Sequence, residues 1–180
     1  KYLNKKITVE EMDVEYQKMA KENTDWFDLL FRNSFNHSHN LSINGGSNNI
    51  QNRTSFGFGQ DRGEAKGNDM TRFTVSSNTM IKLFDCLVVN MLLNGSVREV
   101  NGFAYGVDPF GYAYNTSRAI PAYNEDGSFY FHEKEGENSP VIAGKRIYNY
   151  NILNEKKNTG SESRTRTWGA TLDLKWNILP

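Results

Sequence analysis

The stretch SRTRTWGATLDLKWNIL, residues 163–179, alternates apolar and polar side chains more regularly than the rest of the chain. A β-strand has a period of two residues, so its alternate side chains point to opposite faces of a sheet. One face here carries Trp168, Ala170, Leu172, Leu174, Trp176 and Ile178. The other carries Thr167, Gly169, Thr171, Asp173, Lys175 and Asn177. The stretch predicts a strand with one apolar and one polar face. The apolar face must pack against either a protein core or lipid.

Four earlier segments share this period of two. They predict strands at about residues 36–44, 52–60, 71–81 and 86–97. The first includes HNLSINGG, residues 39–46, whose double glycine begins a turn rich in residues that tolerate positive φ. The connections GGSNNIQ and KLFD are short, whereas residues 98–162 are predicted to form a long irregular connection. Such long connections are usually functional.

The N-terminal part of the chain has helical signals instead. Thr8 and Glu11 have the spacing of a capping box, and an apolar stripe follows at Val9, Met12, Tyr16 and Met19. Asn23 or Thr24 is predicted to begin a second short helical turn, which carries Trp26, Phe27, Leu29 and Leu30.

Composition narrows the class of protein. The 180 residues include 21 Lys and Arg and 21 Asp and Glu, and this zero net charge argues against a nucleic-acid partner. Cys86 is the only cysteine, so no internal disulfide forms. No apolar stretch reaches the ~18 residues of a membrane-spanning helix, but a barrel strand needs only ~9–11 alternating residues. Because the chain begins at Lys1 and ends at Pro180, we expect a segment of a larger protein.

Two further features bear on the choice between a soluble sandwich and a membrane barrel. Trp168 and Trp176 lie eight residues apart. At a rise of ~3.3 Å per residue and a strand tilt of ~40°, this spacing covers roughly 20 Å of bilayer thickness, which is close to the ~25 Å apolar band of a barrel. Short turns at one end and a long connection at the other are also typical of outer-membrane barrels. Strand alternation fits both folds equally well, and the residues alone leave the two open.

Several motifs then occur in a specific order. Residues 24–49 resemble the segment that joins the plug to the barrel in SusC/RagA-type TonB-dependent outer-membrane transporters. Their sequence is TDWFDLLFRNSFNHSHNLSINGGSNN. Its characteristic residues are Asp25, Trp26, His39, Asn40, Leu41, Ser42, Ile43, Gly45 and Gly46. Further similarities are the aromatic strand ending in SFGFGQDRGEAKG, Arg72 with Asn78, Pro121-x-Tyr123-Asn124-x-Asp126-Gly127, Asn138 to Pro140, and TLDLKWNILP.

The resemblance implies a mainly β fold, namely antiparallel up-and-down strands of a partial transmembrane β-barrel with a short N-terminal helical segment and a long extracellular loop. It divides the chain into a helical plug-to-barrel connection (1–35), first barrel strands (36–97), an extracellular loop (98–162) and a further strand (163–180). Such barrels have about twenty-two strands. About five strands cannot close a barrel and leave two open edges.

The resemblance also implies a function. Such proteins import oligosaccharides or peptides across the outer membrane of Gram-negative bacteria of the Bacteroidota. Their partners are a SusD-like surface lipoprotein, the substrate, outer-membrane lipid, and TonB through parts not in this chain. We expect no enzymatic activity, no cofactor and no nucleic acid.

Candidate binding residues lie in GFAYGVDPFGYAYN, residues 102–115. Phe103, Tyr105, Phe110, Tyr112 and Tyr114 have the chemistry to contact a sugar or the lipoprotein, although they are also suited to pack against one another. Trp168, Leu172, Leu174, Trp176 and Ile178 are predicted to face lipid.

Two metal-binding patterns are incomplete. His37 and His39 share a strand face, but no third ligand is evident. Asn124, Asp126, Gly127 and Glu133 nearly fit a calcium loop, but Ala122 occupies its first ligand position, so a β-turn at 124–127 is the better interpretation.

Two alternatives to the transporter segment stay open. One is a free-standing soluble β domain that binds carbohydrate through its aromatic loop. The other is a secreted hydrolase, for which no catalytic set is found.

Overall fold

The structure is a computed structural model and describes residues 7–83, 86–136, 141–142 and 144–177. The chain divides into two compact units. The connection unit comprises residues up to Arg32 together with Phe103–Gly160, and the sheet unit comprises Asn33–Gly102 together with the chain from Ser161.

The sheet unit is a five-stranded antiparallel sheet in the order β1-β2-β3-β4-β8. Its strands are β1 (Phe35–Gly46), β2 (Ile50–Arg62), β3 (Asp69–Leu83), β4 (Leu87–Gly102) and β8 (Ser161–Trp176). The alternation in the sequence therefore predicted all five strands, and the structure extends most of them by two to five residues. Short connections join β1 to β2 and β3 to β4, as predicted.

Among the described residues, the register places the alternate apolar residues of the five strands on one side of the sheet. Directly opposed residues in antiparallel strands share a face, and one such row runs Leu41, Phe56, Val75, Gly95 and Trp168. We call this side the apolar face and the opposite side the polar face. Among the described residues of the sheet unit, Ala65 is the only buried hydrophobic side chain. The sheet thus has no core of its own.

The connection unit contains the helices. They are α1 (Val9–Lys21), α2 (Trp26–Leu30), α3 (Pro109–Asn115) and α4 (Ile152–Asn158). A small sheet in the order β5-β7-β6 joins β5 (His132–Glu135), β6 (Val141–Ile142) and β7 (Lys145–Tyr150). The capping box at Thr8 is confirmed, because its hydroxyl accepts from Glu11 N and its own N–H donates to the Glu11 carboxylate.

Two expectations about this unit were wrong. Asp25, rather than Asn23 or Thr24, caps α2, because its carboxylate accepts the Asp28 N–H. The stretch 98–162 is not irregular, since β4 continues to Gly102 and β8 begins at Ser161. The described residues between them contain two helices and three short strands. Long-range contacts order this segment, which local alternation does not reveal.

The buried core lies in the connection unit. It comprises Trp26, Leu30, Tyr112, Ala113, Ala122, Tyr150, Ile152 and Leu153. None of the residues of α1 is buried. No helix among the described residues is long and apolar enough to cross a membrane.

Candidate membrane-facing and partner-binding surfaces

The apolar face is exposed at the positions that the sequence predicts to meet lipid. The exposed fractions are 74% for Trp168, 61% for Leu172, 65% for Leu174 and 68% for Trp176. The fifth predicted residue, Ile178, lies outside the described residues. Large apolar side chains this exposed normally mark a surface that contacts another apolar body.

Charged residues on the apolar face are confined to one end. They are Arg62, Asp69, Glu99, Glu162, Arg164 and Arg166, close to where β4 ends and β8 begins. The three cations balance the three anions, and Arg164 lies 2.7 Å from Glu99. Beyond Arg166, strand β8 presents only apolar side chains on this face as far as Trp176.

Four polar side chains interrupt the apolar face in its middle. We call Asn52, Thr54, Ser77 and Thr79 the polar tetrad. The Asn52 amide donates to Ser77 Oγ at 3.2 Å and to Thr79 Oγ1 at 2.8 Å. The Thr54 hydroxyl donates to Asn52 Oδ1 at 3.0 Å and lies 3.1 Å from Ser77 Oγ. Because these groups satisfy one another, the tetrad is compatible with an apolar environment.

The polar face consists mainly of hydroxyl, carboxamide and charged side chains, with glycines and a few apolar residues such as Met70 and Leu92 among them. A hydrogen bond of 2.9 Å joins the hydroxyls of Ser42 and Ser55, and Ser76 Oγ donates to Asn94 Oδ1 at 2.8 Å. Such cross-strand pairs suit a surface in contact with water.

In the connection unit, residues 24–26 are fastened to residues 117–118. The Trp26 indole N–H donates to Ser117 O at 3.2 Å, and Thr24 N donates to Arg118 O at 2.9 Å. The Arg118 guanidinium lies 2.6 Å from Asp25 Oδ2. The pKa of Asp25 is lowered, mainly by the Asp28 N–H and further by Arg118. The Asp25-Trp26 motif therefore joins two distant chain segments.

Asn151 organises the other side of this core. Its side chain is fully buried, and its amide donates to Ala122 O at 3.0 Å and to Tyr130 O at 2.8 Å. Its Oδ1 caps α4 by accepting the N–H groups of Leu153 and Asn154. One side chain thus connects three chain segments.

Of the five aromatic residues predicted to bind a ligand or partner, Tyr112 is buried in this core. Its ring packs edge-on against Trp26, with centroids 5.0 Å apart, and burial raises its pKa. Burial also raises the pKa of Tyr150 to about 12. A contact through Tyr112 does not fit this position, because its side chain is used for packing. Tyr105 is fully exposed and Phe103 is half-buried.

Phe110 and Tyr114 lie at the surface and form a group with two residues of the N-terminal segment. We call Phe27, Phe31, Phe110 and Tyr114 the aromatic patch. Its ring centroids are 5.6 Å apart for Phe27 and Phe31, 5.9 Å for Phe27 and Phe110, and 6.4 Å for Phe110 and Tyr114. Phe110 and Tyr114 are 61% and 74% exposed.

The sequence did not single out Phe27 and Phe31 as binding residues. Phe27 lies on α2 and Phe31 is its C-cap, and their spacing of four residues was the available signal, since it matches that of Phe110 and Tyr114 on α3. Only the fold shows that the two pairs meet.

The near-calcium motif forms the predicted turn. Gly127 N donates to Asn124 O, and Gly127 has a φ of +81°, which favours glycine. Asp126 accepts from the hydroxyl and N–H of Ser128, and these bonds lower its pKa. His39 stacks on Phe58, and His37 meets both rings edge-on. The described residues contain no group of three or more His, Cys, Asp or Glu suited to a metal ion.

The structure thus defines a mainly β protein whose open antiparallel sheet has one apolar and one polar face. No family model matches the chain. It is 36% identical over 100 residues to the TonB-dependent receptor SusC of Bacteroides thetaiotaomicron, which covers 51% of this chain and 10% of that receptor. It is 33% identical over 108 residues to the TonB-dependent receptor P26 of Formosa agariphila, which covers 59% of this chain and 10% of that receptor.

The chain is therefore similar to a segment of SusC-type TonB-dependent receptors, and the resemblance seen in the sequence is confirmed. The matched region is about a tenth of the length of these relatives.

Proposed function

We propose that this chain is a segment of a TonB-dependent importer in the outer membrane of a Gram-negative bacterium of the Bacteroidota, and that it has no enzymatic activity. The observation that carries the proposal is the exposed apolar face, in a chain similar to two TonB-dependent receptors. Such a face is stable in contact with hydrocarbon, which is what a barrel strand meets in the membrane.

The unpaired edges of the sheet support the same proposal. Within the described residues, β1 and β8 each pair along one side only. Long strands with a free edge bind further strands or aggregate. In the proposed importer, strands from the rest of the barrel pair with both edges, and the polar face lines the lumen.

Lipid contact is tested in the full-length receptor, reconstituted in bilayers, by spin labels at single cysteines in a background from which Cys86 and any cysteine elsewhere in the receptor have been replaced by serine. Labels at Leu172 and Leu174 should be accessible to oxygen and shielded from a water-soluble nickel reagent. Labels at the matched neighbours Thr171 and Asp173 should show the opposite. Equal accessibility on both faces, or an apolar face buried in a water-soluble body, contradicts the proposal and favours the soluble carbohydrate-binding domain.

We assign the aromatic patch to contact with the SusD-like lipoprotein. Three of its four rings are phenylalanines, which present no hydroxyl for a sugar, whereas exposed aromatic clusters are typical centres of protein interfaces. The connection unit is then extracellular, and the imported substrate is an oligosaccharide or a peptide. TonB acts through parts outside this chain.

Co-purification of the lipoprotein with the full-length receptor tests this assignment. Phe110→Ala and Tyr114→Ala should each reduce the amount recovered, because both rings are exposed. Tyr16→Ala is the matched control, since Tyr16 is 67% exposed in the same unit but belongs neither to the patch nor to the candidate binding residues. Unchanged recovery for both patch variants contradicts the assignment and leaves the importer proposal standing.

A further inference from the structure

Two arginines lie directly opposite each other on the polar face. Arg72 of β3 and Arg98 of β4 are partners in the strand register, and both side chains are exposed. Like charges in directly opposed positions destabilise a sheet. Unless an anion compensates the two charges, their repulsion lowers the stability of the sheet.

No carboxylate of the described residues supplies this compensation. Neither guanidinium forms an ion pair among them. The Arg98 Nε–H points to the Met70 sulfur at 2.9 Å, a weak acceptor. Asp61, opposite Met70 on the same face, is the nearest acidic position in the register, and it too has no ion pair.

The wider polar face is also positive. Its described strands carry five cations, Arg53, Arg72, Lys82, Arg98 and Lys175, and two anions, Asp61 and Asp173. This excess of three positive charges contrasts with the balanced charges of the apolar face. The field of the polar face therefore attracts anions.

The surroundings of the arginine pair suit a hydroxyl-rich ligand. Gly59 is the β2 partner of Arg72, and a Cβ placed on Gly59 would meet only the carbonyl oxygen of His37, at 4.0 Å, so this position in the row is open. Hydrogen-bonding side chains lie beside the pair along the row and in the next row on one side: Ser38, Asn40, Thr74, Ser96 and Thr165. The next row on the other side holds Met70 and Val100. Hydroxyl and amide groups pair with sugar hydroxyls, and guanidinium pairs bidentately with carboxylate.

We propose that Arg72 and Arg98 together bind the carboxylate of an acidic oligosaccharide on the polar face. The inference rests on the proposed function, in which this face lines the path of the imported substrate. It narrows the substrate class to sugars that carry a carboxylate. The bound carboxylate would also compensate the repulsion between the two arginines.

Binding is measured by calorimetry with purified full-length receptor in detergent. The probes are trigalacturonate and its neutral methyl ester, which differ only in the carboxylates, and the acidic peptide triglutamate. The variants are R72Q, R98Q and the double variant. R53Q is the matched control, because Arg53 is an exposed arginine of the same face but its register partner is Asn78, six residues from Arg72 along β3.

Wild-type receptor should bind trigalacturonate more tightly than the ester. Each single substitution should weaken trigalacturonate binding by about 5- to 10-fold, the range for losing a charge-assisted hydrogen bond that is partly screened by water. R53Q should change it less than about 2-fold, and the ester should bind all variants alike.

Equal affinity for the acid and the ester, or equal losses in R53Q and R72Q, overturns the carboxylate site. Arginine-dependent binding of triglutamate without that of trigalacturonate overturns the sugar as substrate class. The measurement needs no membrane, so its failure is distinguishable from failure of the importer proposal, which the lipid-accessibility experiment decides.

Discussion

The indole of Trp168 lies over Gly95, its register partner on the apolar face, and leaves no room for a side chain there. A Cβ placed on Gly95 would lie 2.5 Å from Cζ3 and 2.8 Å from Cε3 of Trp168. Gly95 is consequently buried although its face is open. The two residues are 73 positions apart in the sequence, and they meet because β4 and β8 are neighbouring strands.

This contact predicts that Gly95→Ala destabilises the folded receptor by about 1–3 kcal/mol, because the indole must move. The free energy of unfolding in urea of the full-length receptor measures the effect. Trp168→Ala in the same molecule should remove most of the added cost of Gly95→Ala. Gly169→Ala is the matched control, since a Cβ there meets no atom within 4 Å. A Gly169 effect as large as that of Gly95 contradicts the prediction.

The polar tetrad predicts a non-additive series of substitutions. Asn52→Ala should destabilise the receptor by about 0.5–2 kcal/mol, because Thr54, Ser77 and Thr79 lose partners on an apolar face. The fourfold variant Asn52→Leu, Thr54→Val, Ser77→Ala and Thr79→Val should have nearly the wild-type free energy of unfolding, since no polar group is then left unpaired. Urea unfolding checks both, with Gln51→Ala on the polar face as control. If the fourfold variant is less stable than Asn52→Ala, the hydrogen-bonding account is wrong.

Asn151 predicts a large local effect in the connection unit. Asn151→Ala removes the α4 cap and leaves the carbonyls of Ala122 and Tyr130 without that donor, at a cost of about 2–4 kcal/mol. Amide hydrogen exchange of α4 in the full-length receptor measures the loss of protection. Asn158→Ala, an exposed position on the same helix, should change protection within about 0.5 kcal/mol. Equal effects of the two substitutions would show that the buried bonds of Asn151 are unimportant.

His132 predicts a dependence on pH. Burial, and secondarily the charge of Lys134, lower the pKa of His132 in the folded protein from its ordinary 6.5. Its ring packs against those of Tyr112 and Tyr150. The unfolded chain therefore takes up the proton at higher pH than the folded one, and stability falls as the pH decreases below about 6.5.

Hydrogen exchange at β7, corrected for intrinsic rates, should thus show less protection at pH 5 than at pH 7.5. His132→Gln should remove most of this difference, because glutamine does not titrate. The same pH dependence in the variant would assign the effect to other groups.

Much of the sheet could be predicted from the sequence, and much of the candidate sites could not. Alternation placed the five long strands and put Trp168, Leu172, Leu174 and Trp176 on one face, and Thr8 with Glu11 marked the start of α1. In contrast, Tyr112 was grouped with exposed aromatics because a short segment does not show which ring enters a core. The sequence named Phe110 and Tyr114 but not their contact with Phe27 and Phe31, and it did not show that two arginines oppose each other, because both facts depend on contacts between distant segments.

The sequence by itself determined the periodicity of each strand, the cap of α1 and the turn at 124–127, because these depend on interactions within a few residues. It also carried the resemblance to SusC-type receptors. Only the tertiary structure decided that Arg72 faces Arg98, that Trp168 covers Gly95, and that residues 24–26 are fastened to 117–118. Register and packing depend on contacts between residues far apart in the chain, and a local pattern holds no information about which of them meet.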